Sequence, residues 1–295
     1  MIERKPLDAT AFGLMLLLCL VWGVQQVPIK LTAPEVSLLM QGGIRSIIAT
    51  ALVFLWARWQ GAALFGRDGT LFSGLLAGAL FALEFVFIYF GLGYTAASRM
   101  SVFVYLAPVF AALGLHFLVP GERLARGQWL GVLLAFAGVA LAFSESFFSP
   151  QDTLLGDVCG VIAAVLWAGT TVSIRATRLA HATATKVLFY QIGTAALVLP
   201  VASWAVGEPG VVSLSAFAAA SLAYQSLIVG FASLLGWFWL LRRYLAARLG
   251  VLSFMTPLFG VVAGAVFLSE PLTAYFVGGA LLVGAGIVLV NLRRG

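Results

Sequence analysis

Apolar runs of about twenty residues follow one another along the chain, separated by short polar or basic stretches, and a run of that length crosses a bilayer core of about 30 Å as an α-helix. The first reads AFGLMLLLCLVWGVQQVPIK, from Ala11 to Lys30. The pattern predicts ten transmembrane helices, over 9–29, 35–57, 70–93, 98–118, 127–146, 155–176, 184–206, 214–240, 246–268 and 272–292. Segments of about ten residues with alternating polarity, the mark of a membrane β-barrel, are absent. No connection is long enough for a soluble domain, so residues 1–295 are expected to form a single all-α integral membrane domain. Met1 to Ala11 is short and polar and the run after it is too long for a removable signal peptide, so none is expected.

The pattern also repeats. VWGVQQVPIK (21–30) aligns with LWAGTTVSIR (166–175), pairing Trp22 with Trp167, Gln25 and Gln26 with Thr170 and Thr171, and Lys30 with Arg175. YLAPVFAALGLHFLVPGERL (105–124) resembles FMTPLFGVVAGAVFLSEPL (254–272), which pairs Pro108 with Pro257 and Glu122 with Glu270. Gly131 and Gly138 match Gly279 and Gly286 at one offset of 148. The shared order of these landmarks divides the chain into two related five-helix repeats, 9–146 and 155–292. Five is odd, so the second repeat enters the membrane from the opposite side. Inverted repeats of this kind place a substrate near mid-membrane, between the halves.

Composition agrees with a membrane protein and excludes a soluble one. The chain is 62% hydrophobic and 9% charged, against about 45–50% and about 25% for a soluble domain. The net charge of +6 raises the question of an acidic partner such as nucleic acid, and its distribution answers it. With the N-terminus in the cytoplasm, the inner segments hold Arg4, Lys5, Arg58, Arg67, Arg123, Arg126, Arg175, Arg178, Lys186, Arg242, Arg243, Arg248, Arg293 and Arg294. The outer ones hold Lys30 and Arg99, together with Glu35, Asp152, Asp157 and Glu208. That bias puts both termini in the cytoplasm and the basic loops against an anionic leaflet. The expected setting is a bacterial inner membrane, the expected partners are the lipid bilayer and a small-molecule substrate, and no nucleic acid is expected.

Polar groups inside the apolar runs are the candidate chemistry, because an unpartnered polar group in lipid is costly. Trp22, Gln25 and Gln26 stand at i, i+3 and i+4 and share one helix face, as do Trp167, Thr170 and Thr171. Facing each other across a cavity, they would give aromatic walls and hydrogen-bonding groups; glue between helices is the structural alternative. Glu84 and Arg45 are the two charges deep in predicted spans. Glu84 is a candidate proton or ammonium site, or a partner for Arg45; Arg45 reads as structural, and otherwise as a group that attracts a substrate carboxylate. Tyr89, Tyr105, Tyr224 and Gln225 are further candidate substrate-binding groups, with Tyr94, Ser101, Tyr190 and Gln191 ranked behind them. Pro108 and Pro257 each remove a donor from a helix and are possible hinges. The four matched glycines read as packing scaffold, Trp237, Phe238 and Trp239 as an interfacial belt, and His116 as a satisfied core residue. Cys19 and Cys159 form no CxxC, and the two histidines lie far apart, so neither a metal site nor a cofactor is expected.

On these residues the halves resemble the EamA-type modules of the drug/metabolite transporter superfamily. The likeness is carried by the tryptophan in VWG and LWA, by the prolines in AP at 107–108 and TP at 256–257, and by GERL and SEPL, each followed by a Gly-spaced last helix. LEFVFIYFGLGYTAA (83–97) and VYLAP (104–108) resemble the YddG-type aromatic amino-acid exporters, with Trp22, Glu84, Tyr105 and Trp167 on matching positions. That subgroup is expected to carry an aromatic residue before the proline. Ala107 stands there instead, which widens the expected substrates to other neutral amino acids. The resemblance implies ten helices, an alternating-access cycle and export of small organic solutes.

The expected function is therefore a secondary transporter that exports aromatic and other neutral amino acids or similar metabolites from a central cavity. A multidrug or lipophilic-cation exporter of the same fold is the alternative. No GxxxxGK[ST] is present for ATP, and neither HExxH nor GxSxG for hydrolysis, so no enzyme is expected. Ten helices in one chain suffice for a complete carrier, so a monomer is possible.

Overall fold

The computed structural model describes residues 8–66, 68–119, 123–146, 151–244, 249, 252–253 and 255–291. Its helices are α1 (Ala9–Val24), α2 (Gln26–Thr32), α3 (Leu38–Trp59), α4 (Leu71–Leu92), α5 (Ala97–Val104), α6 (Ala107–Leu118), α7 (Arg126–Ser146), α8 (Gln151–Ala176), α9 (Ala184–Ala205), α10 (Ala216–Ala223), α11 (Ser233–Arg243), α12 (Met255–Leu268) and α13 (Ala274–Asn291). A 3-10 turn over Arg178–His181 precedes α9, and a π-helix over Tyr224–Ala232 joins α10 to α11. Among the described residues no strand forms; a single antiparallel bridge pairs Val36 with Val211.

Among the described residues seven helical stretches are long and apolar enough to span a membrane: 9–32, 38–59, 71–92, 97–118, 153–176, 184–205 and 216–237. Three shorter apolar helices cover 126–142, 255–268 and 274–290. The protein is an all-helical integral membrane protein.

Prolines explain where two expected helices divide. Proline has no N–H and its ring clashes with the carbonyl four residues back. Pro28 acts on Val24, where α1 ends, and Pro108 acts on Val104, where α5 ends. The expected span 98–118 is thus two helices, with Pro108 in the first turn of the second, where a donor is not needed. The expected helix over 9–29 runs on to Thr32 after the break at Gln25. The expected span 214–240 is α10, the π-helix and α11 in series. Pro200, by contrast, lies inside the unbroken α9.

Burial runs inside out relative to a soluble protein. Phe72, Trp204, Leu197, Val266, Leu133 and Leu281 are exposed on the flanks, where lipid covers them. Gln41, Arg45, Glu84, Asp157, Gln225 and Thr256 are buried. Small residues let the helices approach closely enough to enclose that interior. The close pairs mostly join the first half of the chain to the second: α7 with α13, α3 with α9, α4 with α8 and α9, α6 with α8, and α1 and α5 with α12. The α7–α13 pair rests on the four matched glycines. A Cβ on Gly279 would stand 2.6 Å from the Gly138 carbonyl oxygen, and one on Gly131 would stand 2.7 Å from that of Gly286.

Candidate functional site

Charged groups tie together one end of the bundle, where α2, α4 and α12 finish and α3, α5, α8 and α13 begin. Lys30 Nζ donates to the Thr95 carbonyl at 2.6 Å and lies 3.9 Å from Glu270 Oε1. Glu270 in turn accepts from the free N–H groups of Ala97 (2.7 Å) and Ser98 (2.9 Å) at the start of α5. Arg99 Nε donates to both carboxylate oxygens of Asp157 at 3.1 Å, and Thr95 Oγ1 donates to Asp157 Oδ1 at 2.6 Å. Glu208 accepts from the Leu39 and Met40 amides and from Ser203 Oγ, and Glu35 accepts from Ser213 and Ser215. The backbone and hydroxyl of Ser215 hold the exposed Glu35 carboxyl below the usual carboxylate range. Glu122, the sequence match to Glu270, lies outside the described residues, as do Arg4, Lys5, Arg67, Arg248, Arg293 and Arg294.

Beneath these ties lies a layer of satisfied polar groups. Tyr89 Oη donates to Gln225 Oε1 at 3.2 Å, and Gln225 Nε2 donates to Gln41 Oε1 at 2.9 Å and to Ser221 Oγ at 3.2 Å. Gln41 Nε2 donates to the Ile29 and Val36 carbonyls at 3.0 and 2.8 Å. All three long side chains are fully buried. Tyr89 and Gln225 therefore stand in a closed network, with Gln225 on the π-helix, a distortion that occurs mostly at functional sites.

The next layer is not satisfied. Arg45 is the eighth residue of α3, Glu84 lies eight residues before the end of α4, and Tyr105 follows the last residue of α5. At about 1.5 Å rise per residue these groups share one depth, roughly 10–12 Å in from that end. Among the described residues four buried side-chain atoms have no hydrogen-bond partner: Glu84 Oε2, Gln26 Oε1 and Thr256 Oγ1, and, at the end of α2, Thr32 Oγ1. Tyr105 Oη lies beside the Thr256 hydroxyl and within electrostatic reach of Glu84. Arg45 stacks on Phe85 at 4.1 Å from the ring centroid and faces Tyr89 at 5.6 Å.

The two tryptophans have different surroundings. Trp167 packs edge-on against Tyr105, with centroids 5.5 Å apart. Trp22 packs edge-on against Trp237 at 5.9 Å, and its Nε1 donates to Ser233 Oγ at 2.9 Å. Trp237 is thus part of the helix packing around Trp22. Gln25 Nε2 donates to the Trp22 carbonyl, the Thr170 and Thr171 hydroxyls donate to carbonyls one turn back on their own helix, and Tyr224 Oη donates to the Val21 carbonyl at 2.7 Å. The structure brings Glu84, Tyr105 and Trp167 into one neighbourhood, with Arg45 and Thr256 beside them. Gln41 and Thr256 have no signal in the sequence beyond being polar in an apolar run. Pro257 is buried one residue after Thr256.

The opposite end has its own ties. Lys186 Nζ donates to Asp68 Oδ2 at 2.8 Å, and Tyr244 Oη donates to Asp8 at 2.8 Å. The Lys186 ammonium, with the Thr70 hydroxyl and amide, holds the Asp68 carboxyl far below the usual range. His116 Nδ1 accepts from the Leu124 amide at 2.9 Å. A groove of about 460 Å³ on the flank of α12 and α13, lined by Leu258, Leu281, Val288 and other apolar residues, lies away from this chemistry.

A hydrophobic outside, interlocked halves and buried polar groups within the spans define a polytopic helical membrane protein. The chain belongs to the EamA-like transporter family, whose profile matches residues 9–144 and 154–292. It is a transporter and not an enzyme. An uncharacterized transporter of Archaeoglobus fulgidus is 29% identical over 287 residues, covering 95% of this chain and 97% of its own. The probable amino-acid metabolite efflux pump of Escherichia coli K12 is 27% identical over 94% of this chain and 93% of its own. The pseudopaline exporter CntI of Pseudomonas aeruginosa PAO1 is 29% identical, covering 85% of each. A solved crystal structure superimposes over 98% of both chains with a TM-score of 0.66 at 18% identity, so the fold is shared.

Proposed function

We infer that the protein exports amino acids or similar small metabolites across a bacterial inner membrane by alternating access, with the substrate held between two inverted five-helix repeats, 9–146 and 155–292. The observation that carries this reading is that three of the four unmet buried polar atoms lie within the spans and come from both halves: Gln26 Oε1 and Glu84 Oε2 from the first, Thr256 Oγ1 from the second. Sealed polar atoms without partners are costly, and a substrate's polar end supplies the missing bonds. Trp167 and Tyr105 offer an apolar side chain a wall. The relatives named as an amino-acid metabolite efflux pump and a pseudopaline exporter support export and a small substrate.

The charge bias along the chain puts both termini in the cytoplasm and the Lys30–Glu270 end outside. In that orientation the Lys30–Glu270 and Arg99–Asp157 ties hold the outer end, and they must break for the site to open outward. The breaks before Pro28 and Pro108 are the points where the helices bend as the halves rock, with Pro257 the counterpart of Pro108. A lipophilic-cation exporter is the second reading, favoured by a buried carboxylate among aromatic rings.

Uptake of labelled tryptophan into proteoliposomes, competed by unlabelled amino acids and by lipophilic cations, separates the two. Saturable uptake that phenylalanine, methionine or threonine suppresses is the expected result. No uptake by folded protein that binds lipophilic cations overturns the amino-acid reading.

A further inference from the structure

The two charged groups of the unsatisfied layer are unpaired in an unusual way. Arg45 and Glu84 are 5% and 4% exposed. Among the described residues neither makes a hydrogen bond or an ion pair, and their partners are rings and each other's field. They are not in ion-pair contact, although they stand at one depth on helices that both pack along α9. A structural pair would close, because an uncompensated charge in a low-dielectric interior costs more than a neutral hydrogen bond returns. Here the stacking of the Arg45 guanidinium on Phe85 holds the cation open, its fork free to take an anion.

We propose that Arg45 and Glu84 form a zwitterion site, in which the Arg45 guanidinium binds the substrate's α-carboxylate and the Glu84 carboxylate binds its α-ammonium. The proposal rests on the amino-acid reading above and narrows it: both charges of the substrate are read, and by different helices. A free α-amino acid carries the two groups on one carbon, so one molecule bridges α3 to α4 and neutralises both. The guanidinium fork suits a carboxylate in two-point contact. The acceptor-only Glu84, with the Tyr105 hydroxyl within electrostatic reach, suits an ammonium with three donors. Above the site the Tyr89–Gln225–Gln41 layer has its hydrogen bonds filled and does not compete for the substrate's charges. The side chain then extends toward Trp167 and Tyr105, where apolar bulk is accepted without selection for one shape. An amine without a carboxylate leaves Arg45 unmet, and an acid without an amine leaves Glu84 unmet.

Competition in tryptophan counterflow tests this on the unmodified protein, so folding of a variant is not at stake. Tryptamine lacks the carboxylate and indole-3-propionate lacks the ammonium. Each is expected to compete at least about tenfold more weakly than tryptophan, the scale of one lost charge-assisted hydrogen bond. Arg45→Gln is expected to erase the preference for tryptophan over tryptamine while keeping that over indole-3-propionate, and Glu84→Gln to do the reverse. Tryptamine competing as well as tryptophan in the wild type overturns the zwitterion site and makes Glu84 a cation site. Loss of both preferences in each variant overturns the division of roles. Absence of counterflow for tryptophan, phenylalanine, methionine and threonine alike, with folded protein, overturns the amino-acid reading itself.

Discussion

Replacing Asp157 by alanine is expected to cost about 3–5 kcal/mol, the usual result of removing one member of a buried ion pair. Asp157 is fully buried and takes two bonds from Arg99 Nε, one from Arg99 Nη2 and one from Thr95. Arg99 also donates to the Ala142 carbonyl at 3.0 Å, so this one guanidinium links α5, α7 and α8. The substitution strips a buried cation of the carboxylate it grips. Set against a total of about 5–15 kcal/mol for a folded protein, that loss is large. Thermal unfolding in detergent should show a much lower midpoint and a poor yield of monodisperse protein. The double replacement Arg99→Met with Asp157→Leu should recover a large part of the loss, because it removes the buried charge instead of orphaning it. An Asp157→Ala midpoint equal to that of the wild type would sink this assignment.

Gly279→Val is expected to force α7 and α13 apart. Their backbones meet at Gly138 and Gly279, and again at Gly131 and Gly286, with each glycine facing the carbonyl of the glycine opposite it. A Cβ at position 279 would meet Gly138 O at 2.6 Å and Ala142 N at 3.0 Å. Backbone atoms cannot swing aside as a side-chain tip can, so the helices must separate. The expected cost is about 1–3 kcal/mol from overpacking, with more from the looser packing along the whole seam. Gly278 is the internal control, since its Cβ would meet the flexible end of Leu141 at 3.3 Å. Gly278→Val should leave the unfolding midpoint close to wild type, while Gly279→Val should lower it clearly. Equal effects at the two positions would mean that the helices do not touch as described.

These two regions differ in how far the sequence announces them. The glycines are legible because they recur at one offset in both repeats, and small residues in lipid-buried helices have few other uses. The break at Pro108 is legible as a disturbance four residues back. Pro28 acts by the same chemistry on Val24, but nothing matches it in the second repeat, so comparing the repeats does not reveal it. Asp157 reads as a loop carboxylate near a helix end, and its burial against Arg99 depends on α5 and α8 meeting. That contact joins residues 58 positions apart. The π-helix over Tyr224–Ala232 has no signature either, since no proline stands within it.

The candidate site is legible in kind more than in arrangement. The sequence singles out Glu84, Tyr105 and Trp167 separately, and the structure places Tyr105 against Trp167 and within reach of Glu84. Trp22 and Trp167, matched by symmetry in the sequence, have separate ring partners, Trp237 and Tyr105. A sequence match relates positions in the chain and not their surroundings, which depend on the helices packed against each. Tyr89 and Gln225, candidate substrate groups by sequence, lie in a hydrogen-bonded layer with Gln41, which the sequence does not distinguish from any other glutamine in an apolar run.

Alternating exposure of the mid-membrane site is tested most directly by thiol accessibility at Tyr105, where the span breaks between α5 and α6. The variant Tyr105→Cys is made with Cys19→Ala and Cys159→Ala, reconstituted in sealed vesicles of each orientation, and treated with a membrane-impermeant maleimide. A carrier that opens its site to each side in turn should be modified from both faces. Modification from one face alone under every condition, or from neither, would contradict it.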